Sequence, residues 1–195
     1  MPVYPGDGCS RLYQCASIPE DGVNDHRVES GMHVGTHIDA PLHMVEGGAV
    51  ISDFPASFFQ RRGVLIDARF TEEIDAALLH KADIRNGDIV LVRTDWSLKF
   101  HTESYYKAWP YFTEAFAHEL VRRGAGLVGM DTPSPDIDES FPVHKILLPK
   151  GILIIENLTN LSALSDVESF KVHAYPVKFK ADAAPVRVVA EISGW

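Results

Sequence analysis

The sequence contains only two cysteines, Cys9 and Cys15. Two thiols make neither a disulfide framework nor a thiolate zinc cluster; they read as free thiols of a reducing, cytoplasmic compartment. Long apolar runs are missing as well. None approaches the ~20 residues of a membrane-spanning helix, and Met1-Pro-Val-Tyr-Pro-Gly-Asp-Gly8 lacks the basic-then-apolar pattern of a secretory leader. There is no cluster of Lys and Arg, and 27 acidic residues against 18 basic ones give a formal charge of −9. That balance argues against a nucleic-acid partner. No Gly-x-Ser-x-Gly elbow is present to supply a serine nucleophile.

What is present suits an ordinary globular chain. With 195 residues, 46% of them hydrophobic, there is material for one sizeable core, read as a single domain over residues 1–195. Residues 1–30, rich in Gly, Pro, Asp and Ser, read mostly as loop with room for one short strand. Apolar runs predict strands at 63–67, 88–93, 126–130 and 151–156, with two more near 170–179 and 186–192. A helix is expected over 71–82, with Thr71 as N-cap and Ile74, Leu78 and Leu79 on one face. A second runs over 113–123 and ends at Gly124. Mixed strands and helices with β-rich ends give an α/β or α+β class.

The most informative stretch is His33-Val-Gly-Thr-His37-Ile-Asp39-Ala-Pro-Leu-His43. Imidazole and carboxylate together are the donors of zinc, manganese or iron sites. Gly35, Thr36 and Pro41 argue against a helix here. In extended chain His33, Gly35, His37, Asp39 and His43 share a face, but a straight strand would hold His33 about 13 Å from His37. One metal needs its donors within about 2.0–2.2 Å of it. If both histidines hold one metal, rather than being satisfied by ordinary hydrogen bonds, the chain must bend between them, and Gly35 tolerates the required dihedrals. Pro41 then redirects it so that His43 can return over the site. His144 and Glu156, the latter closing the apolar run Ile152-Leu-Ile-Ile155, form a second metal-capable pair or, equally, a salt bridge.

These residues resemble the signature of the metal-dependent cyclase family, which includes bacterial kynurenine formamidase (arylformamidase) and isatin hydrolase. Pro2-Val-Tyr-Pro-Gly-Asp7 is similar to the family's N-terminal loop, which in other members follows a further strand. Gly129-Met-Asp-Thr-Pro-Ser134 is similar to its middle motif. His144-Lys-Ile-Leu-Leu148 and Ile155-Glu-Asn-Leu158 are similar to its late motif. The resemblance implies a swivelling β/β/α domain with a mixed sheet and flanking helices, assembled as a homodimer or homotetramer. It implies a first metal on His33, His37 and Asp39, with Asp39 bridging to a second on His144 and Glu156. His43 matches the catalytic histidine. Zinc and manganese, as one ion or two, are both compatible. Gly35-Thr36-His37 is the generic form of a triplet that reads Gly-Ala-His in the formamidase branch, so kynurenine specificity does not follow.

The implied chemistry is hydrolysis of an amide-type C–N bond in a small molecule. A divalent metal brings the pKa of water toward about 7, and His43 takes the proton and returns it to the leaving nitrogen. Trp96, Phe54 and Trp109, with Phe58 and Tyr105, are candidates for an aromatic substrate pocket, although aromatic side chains more often fill cores. Asp131 either orients a metal-bound histidine from behind or caps the Thr132-Pro133 turn. Two other classes compete. His37-x-Asp39 with a distal histidine is also the facial triad of non-haem iron oxygenases. Were His43 to close a tetrahedral set with His33, His37 and Asp39, the site would be a non-catalytic metal-binding module.

Overall fold

A computed structural model describes residues 3–192; Pro2 of the N-terminal motif lies outside them. In chain order the strands are β1 (Arg11–Ala16), β2 (Asp25–Glu29), β3 (His37–Asp39), β4 (Gln60–Asp67), β5 (Glu73–Ile74) and β6 (Ile89–Arg93). They continue with β7 (Tyr111–Phe112), β8 (Leu127–Met130), β9 (Leu153–Glu156), β10 (Phe170–His173), β11 (Ala183–Pro185) and β12 (Val189–Ile192). Three α-helices intervene: α1 (Ile18–Asp21), α2 (Glu114–Arg123) and α3 (Pro142–Leu147). No described helix is long and apolar enough to cross a membrane.

One eight-stranded mixed sheet, ordered β11-β3-β9-β8-β6-β4-β10-β12, organises the fold. Its centre, β9-β8-β6-β4, is parallel, and antiparallel pairs flank it on both sides. The parallel strands are buried on both faces, which is why they read as continuous apolar runs. On one face Val90, Val92, Val128 and Ile154 pack beneath α2 and α3. On the other, Ile89, Leu91, Leu127 and Ile155 meet Phe59, Leu161 and Phe170. The class is α/β, a mixed sheet with flanking helices.

Local signals explain α2. Thr113 Oγ1 accepts the Phe116 amide at 3.2 Å, and Gly124 ends the helix with φ +72°. The helix expected over 71–82 does not form. Ile74 instead pairs with Phe112 in a short parallel β5–β7 ladder. Asp75 then caps a 3-10 turn, Ala76–Leu79, by accepting the Ala77 amide at 3.0 Å. Ile74 and Leu79 reach the core through this arrangement, so tertiary burial overrides a propensity that is marginal in so short a segment.

Residues 1–30 also depart from expectation. β1 and β2 form an antiparallel hairpin joined through α1. Nearly all of its residues are exposed, so no buried stripe betrayed it in the sequence. The two closing strands, Phe170–His173 and Val189–Ile192, are shorter than their apolar runs; between them Pro176 and Val186 meet in an isolated bridge.

Candidate metal centre

The site is built where β3 is inserted between β9 and β11. His37 and Asp39 point to the α3 side of the sheet, while Ile38 between them is buried in the opposite core. The register pairs His37 with Glu156 and Asp39 with Ile154. Gly35 takes φ +69°, and this bend solves the spacing problem. It brings His33 Nδ1 to 2.9 Å from Asp39 Oδ1, with the His33 and His37 rings 5.0 Å apart. Pro41 opens a 3-10 turn, Pro41–His43. That turn lays the His43 ring 4.2 Å from the ring of His33 and 5.6 Å from that of His144.

His144 arrives from the first turn of α3, and Asp136 places it there. The Asp136 carboxylate accepts the amides of Val143 at 2.8 Å and His144 at 3.1 Å, covering the exposed donors of the helix start. It also accepts from His144 Nδ1 at 2.6 Å. His37 donates its own Nδ1–H to the Gly35 carbonyl at 2.8 Å. Each imidazole is thus held by Nδ1 and turns Nε2 to the cluster, where its neutral form has a lone pair to offer.

The presented atoms converge. His37 Nε2 lies 3.3 Å from Asp39 Oδ1 and 3.3 Å from Glu156 Oε2. His144 Nε2 lies 3.5 Å from Asp39 Oδ2 and 3.4 Å from Glu156 Oε1. Yet His37 Nε2 and both Asp39 oxygens are buried without a hydrogen-bond partner. Orphaned donors and acceptors cost about 1–3 kcal/mol each, more for charges. Three around one point are the mark of a site that fits a cation. Side-chain donors of His33, His37 and Asp39 lie within 4.8 Å of one another, as do those of Asp39, His43 and His144.

The electrostatics agree. Burial opposes charge at Asp39, but His37, His144 and His33 outweigh it and hold the carboxyl well below its usual range. Burial likewise opposes the imidazolium of His37, and Asp39 and Glu156 overcome it. His43 differs: burial lowers its pKa, and repulsion from His33 and His144 adds to this against the pull of Asp39. The cluster therefore favours an ionised Asp39 beside a neutral His43.

Two residues of the cluster went unread in the sequence. Asp136 is one. The other is Asp182, whose Oδ2 lies 2.9 Å from His33 Nε2 and 3.4 Å from His43 Nδ1. Asp131 takes neither expected role. It accepts from the Thr94 amide at 2.9 Å and the Thr94 hydroxyl at 2.6 Å, so it fixes the β6 exit.

A cavity of about 250 Å³ opens onto the cluster, walled by Tyr4, Tyr106, Ile137 and Phe141 and reaching His33, Asp39, His43, His144 and Glu156. Trp96, Phe54 and Trp109 do not line it. Trp109 is buried behind it and donates Nε1–H to the Asp136 carbonyl at 3.1 Å, bracing the loop that holds His144. Trp96 donates to the Tyr105 carbonyl at 2.8 Å. Phe54 stacks on Phe58 beside a different cavity, with Tyr175 and Pro176. Thr36 has a use that alanine lacks: its hydroxyl donates to the Asn157 carbonyl at 2.7 Å, tying the signature to the end of β9.

The model of the cyclase family, described as "Putative cyclase", matches residues 1–137. The kynurenine formamidase of Paracidovorax citrulli is 32% identical over 96% of this chain and 89% of its own length. A solved structure, the "predicted metal-dependent hydrolase" of Bacillus stearothermophilus, is 32% identical with a TM-score of 0.78, covering 97% of this chain and 91% of that one. Isatin hydrolase A of Labrenzia aggregata, solved bound to benzyl benzoate, shares the fold with a TM-score of 0.85 at 23% identity, over 100% of this chain and 88% of that one.

Proposed function

The chain belongs to the cyclase family, and from that premise we propose that it is a metal-dependent hydrolase of an amide-type C–N bond, in an aryl formamide or a cyclic amide. The observation that carries the reading is the set of three unpartnered buried atoms, His37 Nε2 and the two Asp39 oxygens, facing a substrate-sized cavity. Relatives named kynurenine formamidase support the formamide class.

In this reading His33, His37 and Asp39 hold a first divalent ion, and Asp39, His144 and Glu156 a second. Nitrogen and oxygen donors suit zinc or manganese. The ion supplies Lewis acidity, lowering the pKa of water and polarising the scissile carbonyl. The protein does the rest. His43, kept neutral by burial, accepts a proton at Nε2 and returns it to the leaving nitrogen. Tyr4, Tyr106 and Phe141 give the cavity an apolar wall suited to an aromatic group, while Asn157 offers a polar edge. His43 groups with Asp39 and His144, or with His33 and Asp182, rather than closing a set with His33, His37 and Asp39. That grouping favours catalysis over a closed structural site. The oxygenase alternative leaves His33 and Glu156 without a task.

The proposal treats residues 1–195 as one catalytic domain in a reducing cytoplasm, consistent with the free thiols of Cys9 and Cys15. It also takes the protein as a homodimer or homotetramer, consistent with the exposed Leu12, Ile18, Val23 and Val28 of the β1–β2 hairpin. The deciding experiment strips metal with a chelator, reloads zinc, manganese or iron, and assays aryl formamides, isatin and small cyclic amides. Metal-dependent hydrolysis of one of these is expected. No hydrolysis with any ion, or substrate-dependent dioxygen uptake with iron, overturns the reading.

A further inference from the structure

We propose that Asp182 is a shared positioning residue, one carboxylate oxygen fixing the imidazole of His33 toward the metal cluster and the imidazole of His43 toward the substrate. The inference rests on the hydrolase reading of this site and assigns it a residue that lies outside the family's signature segment. Asp182 Oδ2 stands 2.9 Å from His33 Nε2 and 3.4 Å from His43 Nδ1. An ionised carboxylate only accepts, so His33 donates to it from Nε2, and Nδ1 is the nitrogen of His43 placed to do the same. With a cation bound between them, His33 would offer the lone pair of Nδ1 to the site it shares with Asp39, 2.9 Å away. His43 keeps its bare lone pair on Nε2, the atom that must accept a proton.

The scaffold anchors this carboxylate. The Asp182 carbonyl accepts the Ala40 amide at 2.7 Å, and the next residue, Ala183, is the register partner of Asp39. Asp182 is thereby tied to the backbone of the signature it serves. It makes no salt bridge to a Lys or Arg among the described residues; the groups it meets are the two imidazoles. The His33 and His43 rings lie 4.2 Å apart and tilted by 37°, with one oxygen between their outer nitrogens. The longer His43 contact fits a hydrogen bond that tightens once substrate is bound.

The test combines Asp182→Ala and Asp182→Asn with His43→Ala in a double-mutant cycle on the metal-saturated protein, using the best aryl formamide of the panel. Partners acting from behind a metal site typically matter about 10–100-fold. Asp182→Ala is expected to lower kcat by about that factor with KM changed less than about threefold, and Asp182→Asn, which keeps an accepting oxygen, to lose less. Added to His43→Ala, it should cost less than about threefold more in kcat, because its partner in proton transfer is gone and metal saturation offsets the loss at His33. Two readouts do not depend on turnover. Zinc affinity, measured by competition with a chromophoric chelator, should fall about 10-fold in Asp182→Ala. The ring-nitrogen NMR signals of His43 should report a hydrogen on Nδ1 in the parent and a tautomer mixture in the variant. Losses that multiply in the cycle, or unchanged zinc affinity and tautomer in a folded Asp182→Ala, overturn the inference. Full activity of His43→Ala overturns the proton-carrier reading itself, so the two failures are distinguishable.

Discussion

His37 and Glu156 face each other across the β3–β9 ladder, and their side chains end 3.3 Å apart. This single register joins the early signature to the late motif. A slip of one residue would turn His37 and Asp39 to the opposite face and exchange them for Ile38. The buried Ile38 side chain therefore locks the site indirectly, because the wrong register would put it among the polar groups of the cluster and drive His37 and Asp39 into the apolar core.

Because the donors are orphaned without an ion, metal should stabilise the fold as well as activate it. At 100 times its Kd a ligand adds about 2.7 kcal/mol, which for a chain of this size raises Tm by roughly 5–10 °C. Calorimetry of the chelator-stripped protein with and without zinc or manganese checks this. Asp39→Ala and His37→Ala should abolish the shift. The apparent affinity should weaken as pH falls, since the imidazole donors bind metal only when unprotonated.

Replacing His43 by Ala should reduce turnover about 10²–10⁴-fold while metal content, read by elemental analysis, stays at the parent value. Near-normal kinetics in that variant would remove the proton-carrier role.

Asp136→Ala should have two separable effects. Loss of the α3 amide contacts should cost on the order of 1 kcal/mol of stability. Loss of the His144 Nδ1 contact should weaken binding of the second ion about 10–100-fold. Thermal melts read the first and stepwise metal titration the second; an unchanged second binding step would refute the assignment.

Gly63 is the register partner of Phe170, and a Cβ there would lie 2.0 Å from that ring. Gly63→Ala should destabilise by about 1–3 kcal/mol, the usual cost of overpacking, and Phe170→Leu in the same chain should recover part of it. Denaturant unfolding decides; a Gly63→Ala variant of parent stability would contradict the packing.

Arg122 and Arg123 bond to Glu119 on α2 and bring its pKa to about 2. A depressed carboxylate pKa adds stability above its unfolded value and loses it as pH falls toward the folded one. The stability gap between parent and Glu119→Gln should therefore be constant at neutral pH and close between about pH 4.5 and 2. Its size is limited, about 0.5 kcal/mol, because these pairs face solvent. A gap that persists at pH 2 would disprove the pairing.

The signature was legible because its logic is local. Same-face spacing, a glycine at the bend and a proline at the turn are all contained between His33 and His43. The buried parallel strands and the capped helix α2 announced themselves for the same reason. Asp136 and Asp182 did not, because their roles exist only through contacts that the fold creates: one beneath α3, the other beside β3. The segment 71–82 had helical spacing, yet Ile74 found a strand partner in Phe112, which no local pattern reveals. For Trp96, Phe54 and Trp109 residue type alone could not say which surface each would meet; Trp109 serves the site from behind its wall.

The placement of β3 between β9 and β11 has a consequence for biosynthesis. A ribosome that has delivered the entire His33–His43 signature has delivered neither of the strands that will frame it. The nascent signature has no ladder to set its register and no Glu156 or Asp182 to complete it. A translation product that stops short of Leu153 is thus born without a scaffold for its histidines, and one that stops short of Ala183 frames them on one side alone.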